Sequence, residues 1–266
     1  MKYDLLVVGG GPAGLTAAIH ARARGKSVLV VSNAPTASPL CRAPEMANYP
    51  GLPGVTGLEL VERLLAQAKD LGAEFRQGRV LSVMPLGRSV MASVENDAVE
   101  GSAAVLAVGV SRAAPLQGER ELLGRGVSYC ATCDGMFYRN KAVAAAGDAP
   151  NFDEEVEFLR SIGCQVTVKR LAGLEILGDE RVSGVRDASG EETPCECVFL
   201  LRSSIAPAQL VPGLKLTDGY IKVDGRMATN LPGGYAAGDC TGQPLQLAKA
   251  VGQGQAAAHF AMEEIS

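Results

Sequence analysis

Residues 3–14 read Y-D-L-L-V-V-G-G-G-P-A-G. Tyr3 to Val8 is a short apolar run of the kind that forms a strand buried on both faces. Gly9, Gly11 and Gly14 follow in GxGxxG spacing. The turn needs a positive φ, a pyrophosphate needs bare backbone to approach, and the next helix must pack close to the strand. Leu15 to Arg24 continue as an amphipathic helix closed by Gly25, and Ser27 to Val31 as the next buried strand. This is a βαβ unit that binds a dinucleotide at a helix N-terminus. A ligand-free glycine turn is the competing reading, and the flanking strand and helix weigh against it. Ser32 stands where an acidic ribose ligand is common, so ribose recognition falls to its hydroxyl, to Asn33 or to the main chain.

Outward from this unit, Leu58 to Leu71 predicts a helix stopped at Gly72, and Ala103 to Val108 an apolar strand followed by Gly109. The pattern restarts after Pro115. Lys141 to Ala146 predicts a strand, Asp153 to Ile162 a helix ended by Gly163, and Gln165 to Val168 a strand, making a second, smaller βαβ unit. Val182 to Val185 and Cys197 to Leu201 fit strands around a turn at Asp187 to Gly190. Gly219 to Asp224 and Gly234 to Ala237 predict short strands, and Leu245 to Met262 a terminal helix. The 266 residues suit one large or two interleaved domains. A net charge of −4 without runs of like charge argues against nucleic-acid partners, and no apolar run is long enough to predict a membrane span. The N-terminus enters a strand without signal-peptide features, so the seven cysteines are expected in a reducing cytoplasm, and their odd number argues against a disulfide framework.

Val127 to Phe137 reads V-S-Y-C-A-T-C-D-G-M-F and resembles the redox motif of the low-molecular-weight thioredoxin reductases. Asn48-Tyr49-Pro50-Gly51 resembles that family's N-(Y/W)-P-G loop, and Thr229 to Asp239, T-N-L-P-G-G-Y-A-A-G-D, its second FAD signature. Gln246 and Gly252-Gln253-Gly254 extend the match into the terminal helix. The resemblance implies an α/β chain of two Rossmann-like FAD/NAD(P)-binding domains of three-layer ββα build, the second smaller and inserted in the first. Residues 1–114 and 203–266 would form the split FAD-binding domain, and residues 115–202 the shortened NAD(P)H-like domain with the CxxC. It further implies non-covalent FAD, a homodimer, and cofactor contacts from Gly9, Gly11, Pro12, Ala13, Gly14, Ser32, Asn33, Leu40, Asn48, Gly109, Gly238, Asp239, Gln246 and Leu247. The family's arginine neighbour of the glutamine is Leu245 here.

Cys130 and Cys133 lie within disulfide reach at an expected helix start, where amides lower a thiol's pKa. Half of a zinc site completed by Cys195 and Cys197 is the alternative, with poor spacing. The resemblance implies that Cys133 accepts electrons from the flavin, that Cys130 attacks the substrate disulfide, and that Asp134 is the acid; a solvated helix cap is the plainer reading of Asp134. Asp239 would accept hydrogen bonds from the FAD ribitol, or else cap a helix. Cys41 replaces part of a loop that runs near the flavin in relatives, Ala37-Ser38-Pro39-Leu40-Cys41 here, and is either a third redox thiol or a packing residue. Cys164, Cys195, Cys197 and Cys240 read as packing, and His20 and His259 as structural.

The second glycine fingerprint is degraded to Gly147-Asp148-Ala149-Pro150-Asn151-Phe152, and the basic cluster for a 2′-phosphate to Lys169-Arg170. A methyl, a missing amide, a bulky ring and a carboxylate all act against a pyrophosphate there, so NADPH is not the expected donor. Reduced ferredoxin near about −400 mV lies roughly 130 mV below a thioredoxin-like disulfide, which releases about 6 kcal/mol for two electrons. Retained CxxC and FAD signatures with a lost NADPH fingerprint resemble the ferredoxin-linked flavin thioredoxin reductases, and also the diflavin-linked disulfide oxidoreductases, with a second flavin in the inserted domain. The expectation is an FAD-dependent reductase of thioredoxin or a similar disulfide protein. A conventional NADPH-dependent enzyme with a degenerate nucleotide site and a flavin-bound redox sensor without turnover remain as alternatives.

Overall fold

The computed structural model describes residues 2–34, 38–95, 97–109, 115–149, 151–202 and 207–265, except the side chains of Pro39 and Cys133. The chain divides into two compact units, one of Met1–Ser111 with Ala206–Ser266 and one of Arg112–Ile205. In chain order the first segment holds β1 (Lys2–Val8), α1 (Pro12–Arg22), β2 (Val28–Ser32), α2 (Gly57–Asp70), β3 (Glu74–Gln77), β4 (Val80–Leu86), β5 (Ser89–Val94) and β6 (Asp97–Leu106). The inserted unit holds β7 (Val127–Ser128), α3 (Ala131–Asp134), β8 (Ala142–Gly147), α4 (Phe152–Ser161), β9 (Gln165–Val168), β10 (Glu175–Leu177), β11 (Gly184–Arg186), β12 (Glu192–Pro194) and β13 (Cys197–Leu201). The return segment adds α5 (Pro207–Leu210), β14 (Leu216–Thr217), β15 (Tyr220–Ile221), β16 (Gly234–Ala236) and α6 (Leu247–Glu264). Among the described residues no helix is long and apolar enough to cross a membrane.

In the first unit one sheet runs β3-β2-β1-β6-β5-β4, with β16 also on β6. Strands β3, β2, β1, β6 and β16 are parallel neighbours, and β4 and β5 add an antiparallel ribbon. On the edge away from β1, β6 serves two partners: Asp97 to Gly101 pair with β5, and Ala104 to Leu106 with β16. Leu5, Val7, Val28, Val30, Ala103 and Val105 point to one face and share a core with Leu15, Ala18, Ala257 and Ala261 of α1 and α6. Their alternate neighbours Leu6, Val8, Leu29, Val31, Ala104 and Leu106 are also buried, so these strands are apolar throughout.

The inserted unit has three layers. Its parallel sheet runs β7-β13-β8-β9, and β10-β11-β12 form an antiparallel sheet. Ala144, Ala146, Val198 and Leu200 face Ile176 and Val185 of the antiparallel sheet, while Val143, Ala145, Phe199 and Leu201 face Val156 and Leu159 of α4. The period-two alternation of strand side chains thus builds two cores from one sheet.

Several boundaries differ from expectation. α1 begins at Pro12, not Leu15, because proline at the first helical position has no amide to lose and a φ suited to helix. α6 starts at Leu247 because Gln246 is extended at φ −125°. Only Tyr220–Ile221 of the Gly219 to Asp224 stretch is strand, and β11 begins two residues after Val182. Strands β3, β4 and β5 have no counterpart in the sequence reading.

One buried ion pair ties the ends of the inserted unit together. Arg202, directly after β13, binds both Glu119 oxygens at 2.8 and 2.9 Å. The Tyr129 hydroxyl and the Leu116 amide also donate to the Glu119 carboxylate, at 3.0 and 2.7 Å. Burial and the Glu119 carboxylate hold the Tyr129 phenol protonated. Glu119→Ala, which leaves a buried guanidinium without its counter-charge, is expected to lower stability by about 3–5 kcal/mol in urea unfolding, and a Glu119→Leu/Arg202→Met double variant to recover most of the loss.

Candidate functional site

Gly9 leaves β1 at φ +112° and donates to Val31 O at 2.8 Å, which places the turn beside the end of β2. Half-buried Ser32 and Asn33 are there. A Cβ on Gly9 would lie 2.3 Å from Ala107 O, and one on Gly14 1.9 Å from Gly9 O, so both positions demand glycine. A Cβ on Gly11 would meet nothing within 4 Å, so the turn is open on that side. Gly11 caps α1, Pro12 is its first residue, and the first amide bonded along the helix is that of Leu15, to Gly11 O. The cap makes no side-chain hydrogen bond and the first turn carries no acidic residue. Amides of Ala13 and Gly14 therefore face outward at the positive end of the helix, which fits a pyrophosphate.

The second signature meets the first directly. A Cβ on Gly238, at φ +88°, would lie 2.9 Å from the Ala13 Cβ, and one on Gly254 of α6 2.2 Å from Ala13 O. Asp239 opens the turn after β16 and is half-buried; its carboxyl is raised by burial, against which Lys249 acts. Among the described residues the Asp239 carboxylate makes no hydrogen bond or ion pair, so it is available to a ligand hydroxyl. Gln246 caps α6, Leu247 is its first residue, and Asn48 Nδ2 donates to Gln246 Oε1 at 3.5 Å, joining the N-Y-P-G loop to the helix start. Leu40 lies in the turn Pro39–Arg42, its carbonyl packed against Gly57, and Gly109 follows β6 at φ +68° in open space. Leu40 packs against the apolar core to which Ala13 of the glycine turn belongs, and Gly109 follows Ala107 and Val108, against which Gly9 lies.

Two residues of this region escape sequence reading. Gln253 Oε1 accepts from Gly238 N at 3.0 Å and from Thr241 Oγ1 at 2.8 Å. Lys249 Nζ donates to Gly238 O at 3.2 Å and to Gly242 O. Only the Gly252-Gln253-Gly254 run hinted at the first, and a lone charge in the opening turn of α6 at the second.

In the inserted unit, Cys130 is 7% exposed, immediately precedes α3 and is disulfide-bonded. The Cys133 side chain lies outside those described. The other described cysteines, Cys41, Cys164, Cys195, Cys197 and Cys240, are not in disulfides. Burial raises all five thiols, Cys195 and Cys240 to about 11, which keeps them protonated and unreactive. For Cys41 this favours the packing role. Among the described residues no group of three or more His, Cys, Asp and Glu is placed to hold a metal ion. Asp134 ends α3, and Ser128, which the sequence reading passed over, donates its hydroxyl to Asp134 Oδ2 at 2.6 Å. Met136 and Phe137, directly after this segment, are 56% and 76% exposed. His20 sits on α1, its pKa lowered by burial and Arg24, and His259 bridges Arg24 and Glu263, both structural settings.

The second nucleotide turn is closed. Asp148 and Ala149 amides, which follow β8 where a pyrophosphate would be cradled, both donate to Leu201 O, at 3.1 and 3.0 Å. Ala149 is buried, and a Cβ on Gly147 would meet Phe152 Cδ2 at 2.9 Å. The first turn of α4 carries Asp153, Glu154 and Glu155. Pro150 lies outside the described residues. Lys169 Nζ is engaged by Asp187 at 2.9 Å and Glu191 at 4.0 Å, and its side chain is only 12% exposed.

A dinucleotide-type glycine turn in one unit and a disulfide at a helix start in the other define a flavin-dependent disulfide oxidoreductase. The model of the pyridine nucleotide-disulphide oxidoreductase family matches residues 3–174 and 157–254. Thioredoxin reductase of Aquifex aeolicus is 32% identical over 274 residues, covering 89% of this chain and 85% of that protein. A solved structure of ferredoxin-flavin thioredoxin reductase from Clostridium acetobutylicum superposes with TM-score 0.87 at 38% identity, covering 98% and 97% of the two chains. That of a thioredoxin reductase from Gloeobacter violaceus gives 0.80 at 31%, covering 98% and 94%. The chain belongs to the pyridine nucleotide-disulphide oxidoreductase family.

Asp239→Asn is expected to weaken FAD binding by apo-protein about 10- to 100-fold, the worth of a hydrogen bond to a charged acceptor. Wild-type affinity should fall with decreasing pH at a higher pH than an ordinary carboxylate of 3.8 would require, because burial raises the Asp239 pKa. The asparagine variant should lose that dependence, as read by fluorescence titration.

Proposed function

We propose that the chain is an FAD-dependent reductase of thioredoxin or a similar protein disulfide, supplied with electrons by reduced ferredoxin instead of NADPH. The carrying observation is the closed second nucleotide turn, whose amides at Asp148 and Ala149 are already bound to Leu201 O. Acidic residues at the start of α4 oppose a pyrophosphate, and the engagement of Lys169 by Asp187 and Glu191 leaves exposed Arg170 as the one member of the Lys169-Arg170 pair open to a 2′-phosphate. The likeness to ferredoxin-flavin thioredoxin reductase agrees.

Bound FAD would supply a centre that takes electrons singly and delivers them in pairs. Gly9, Gly11, Pro12, Ala13 and Gly14 would hold its pyrophosphate and Asp239 its ribitol, and Ser32 and Asn33 would flank the ribose. Gln246, Leu247, Asn48, Leu40 and Gly109 would complete its surroundings. Two-electron reduction received at Cys133 would cleave the enzyme disulfide and free Cys130, which attacks the substrate disulfide, forming a mixed disulfide and releasing one substrate thiolate. Attack by Cys133 on Cys130 then frees the second and restores the enzyme disulfide. Asp134, steadied by Ser128, delivers a proton to a departing thiolate. Exposed Phe137 offers an apolar anchor beside the dithiol for a protein substrate.

In anaerobic titration reduced ferredoxin should bleach the flavin rapidly and NADPH should not; rapid bleaching by NADPH alone overturns the donor. Cys130→Ser should abolish turnover with thioredoxin while the protein stays yellow. Phe137→Ala should raise KM for thioredoxin about tenfold, the order of one lost apolar anchor, with kcat little changed.

A further inference from the structure

α4 occupies the place of a helix that would receive a nucleotide pyrophosphate, yet its first turn reaches another target. Glu155, 8% exposed, accepts from the Ala131 amide at 3.3 Å through Oε2 and from Asn151 Nδ2 at 3.1 Å through Oε1. Ala131 is the first residue of α3 and the residue after Cys130. Amides at the start of a CxxC helix are what stabilise a thiolate there. Here the neighbouring amides are taken by the chain itself, Ala131 by Glu155 and Cys130 by Ser128 Oγ at 3.2 Å.

We propose that Glu155 is a positioning residue that sets the reducing power of the dithiol, its carboxylate claiming the helix-start amide and disfavouring the Cys130 thiolate. A reduced pair with a costly thiolate gives up its electrons more readily, the converse of a strong oxidant whose reduced form is stabilised. The titratable and charged groups facing the segment are Asp134 and Tyr138 from the segment itself, Glu155 from α4, Cys164 beyond α4, Cys197 from β13, and Lys141 and Arg181, which act on Tyr138. Burial keeps Tyr138, Cys164 and Cys197 protonated, Tyr138 with a pKa of about 12. Asp134 and Glu155 are therefore the carboxylates that act on Cys130, and Asp134 is held by Ser128.

The inference rests on Cys130 as a redox thiol, and on neither the substrate nor the donor. Purified flavoprotein is equilibrated in glutathione redox buffers, and the pH profile of Cys130 alkylation by iodoacetamide is measured in a Cys133→Ser background. Glu155→Gln should shift the equilibrium about tenfold toward the dithiol, equal to about 30 mV, and move the alkylation profile to lower pH. Glu155→Asp, which keeps the charge, should stay near wild type and guards against a merely structural effect. Unchanged equilibrium and profile in Glu155→Gln, or equal shifts in both variants, overturn the proposal. A wild-type protein with no reducible disulfide would instead overturn the functional reading.

Discussion

Close approach of backbone to backbone at a few glycines organises the first unit. Gly14 lies on Gly9 O, Gly254 on Ala13 O, Gly9 on Ala107 O and Gly238 on the Ala13 methyl, each at a distance where an added carbon would overlap. These contacts pull α1 onto the turn after β1 and α6 onto α1, which brings signatures from opposite ends of the sequence to one place. The Ala13 and Gly14 amides, the Asp239 carboxylate and the open side of Gly11 then border one region. Packing and ligand chemistry share a cause, because the absence of Cβ atoms that admits the neighbouring helix also bares the backbone.

The inserted unit repeats the βαβ plan with the opposite outcome. Its turn after β8 has side chains where the first unit has glycine, and the chain satisfies its own amides by folding them onto Leu201 O. Of its basic pair, Lys169 is neutralised by Asp187 and Glu191 while Arg170 stays exposed, and Glu155 directs its carboxylate to α3. Polar groups that would otherwise need a ligand are thereby satisfied internally, as buried donors and acceptors must be.

Much of this was legible in the sequence because it rests on local rules. Period-two and period-3.6 apolar patterns located β1, β2, β8, β9, β13, α2 and α4, and glycines marked the turns. Strands β3 to β5 were missed because polar residues interrupt them, as in R-Q of β3 and the two serines of β5, although Val90, Ala92 and Val94 are buried in alternation along β5. Their stability comes from pairing on β2 and β6, which no local window contains.

By itself the sequence determined the α/β class, the glycine turn, the CxxC segment and the degradation of the second fingerprint, since each depends on residue type at short spacing. Tertiary structure alone decided that Glu119 and Arg202 meet 83 residues apart, that Lys169 is already paired, and that Glu155 reaches the amide beside Cys130. These are contacts between side chains whose charge can be read anywhere in a chain. Their partners are set only when sheet register and helix packing bring distant residues within hydrogen-bonding distance.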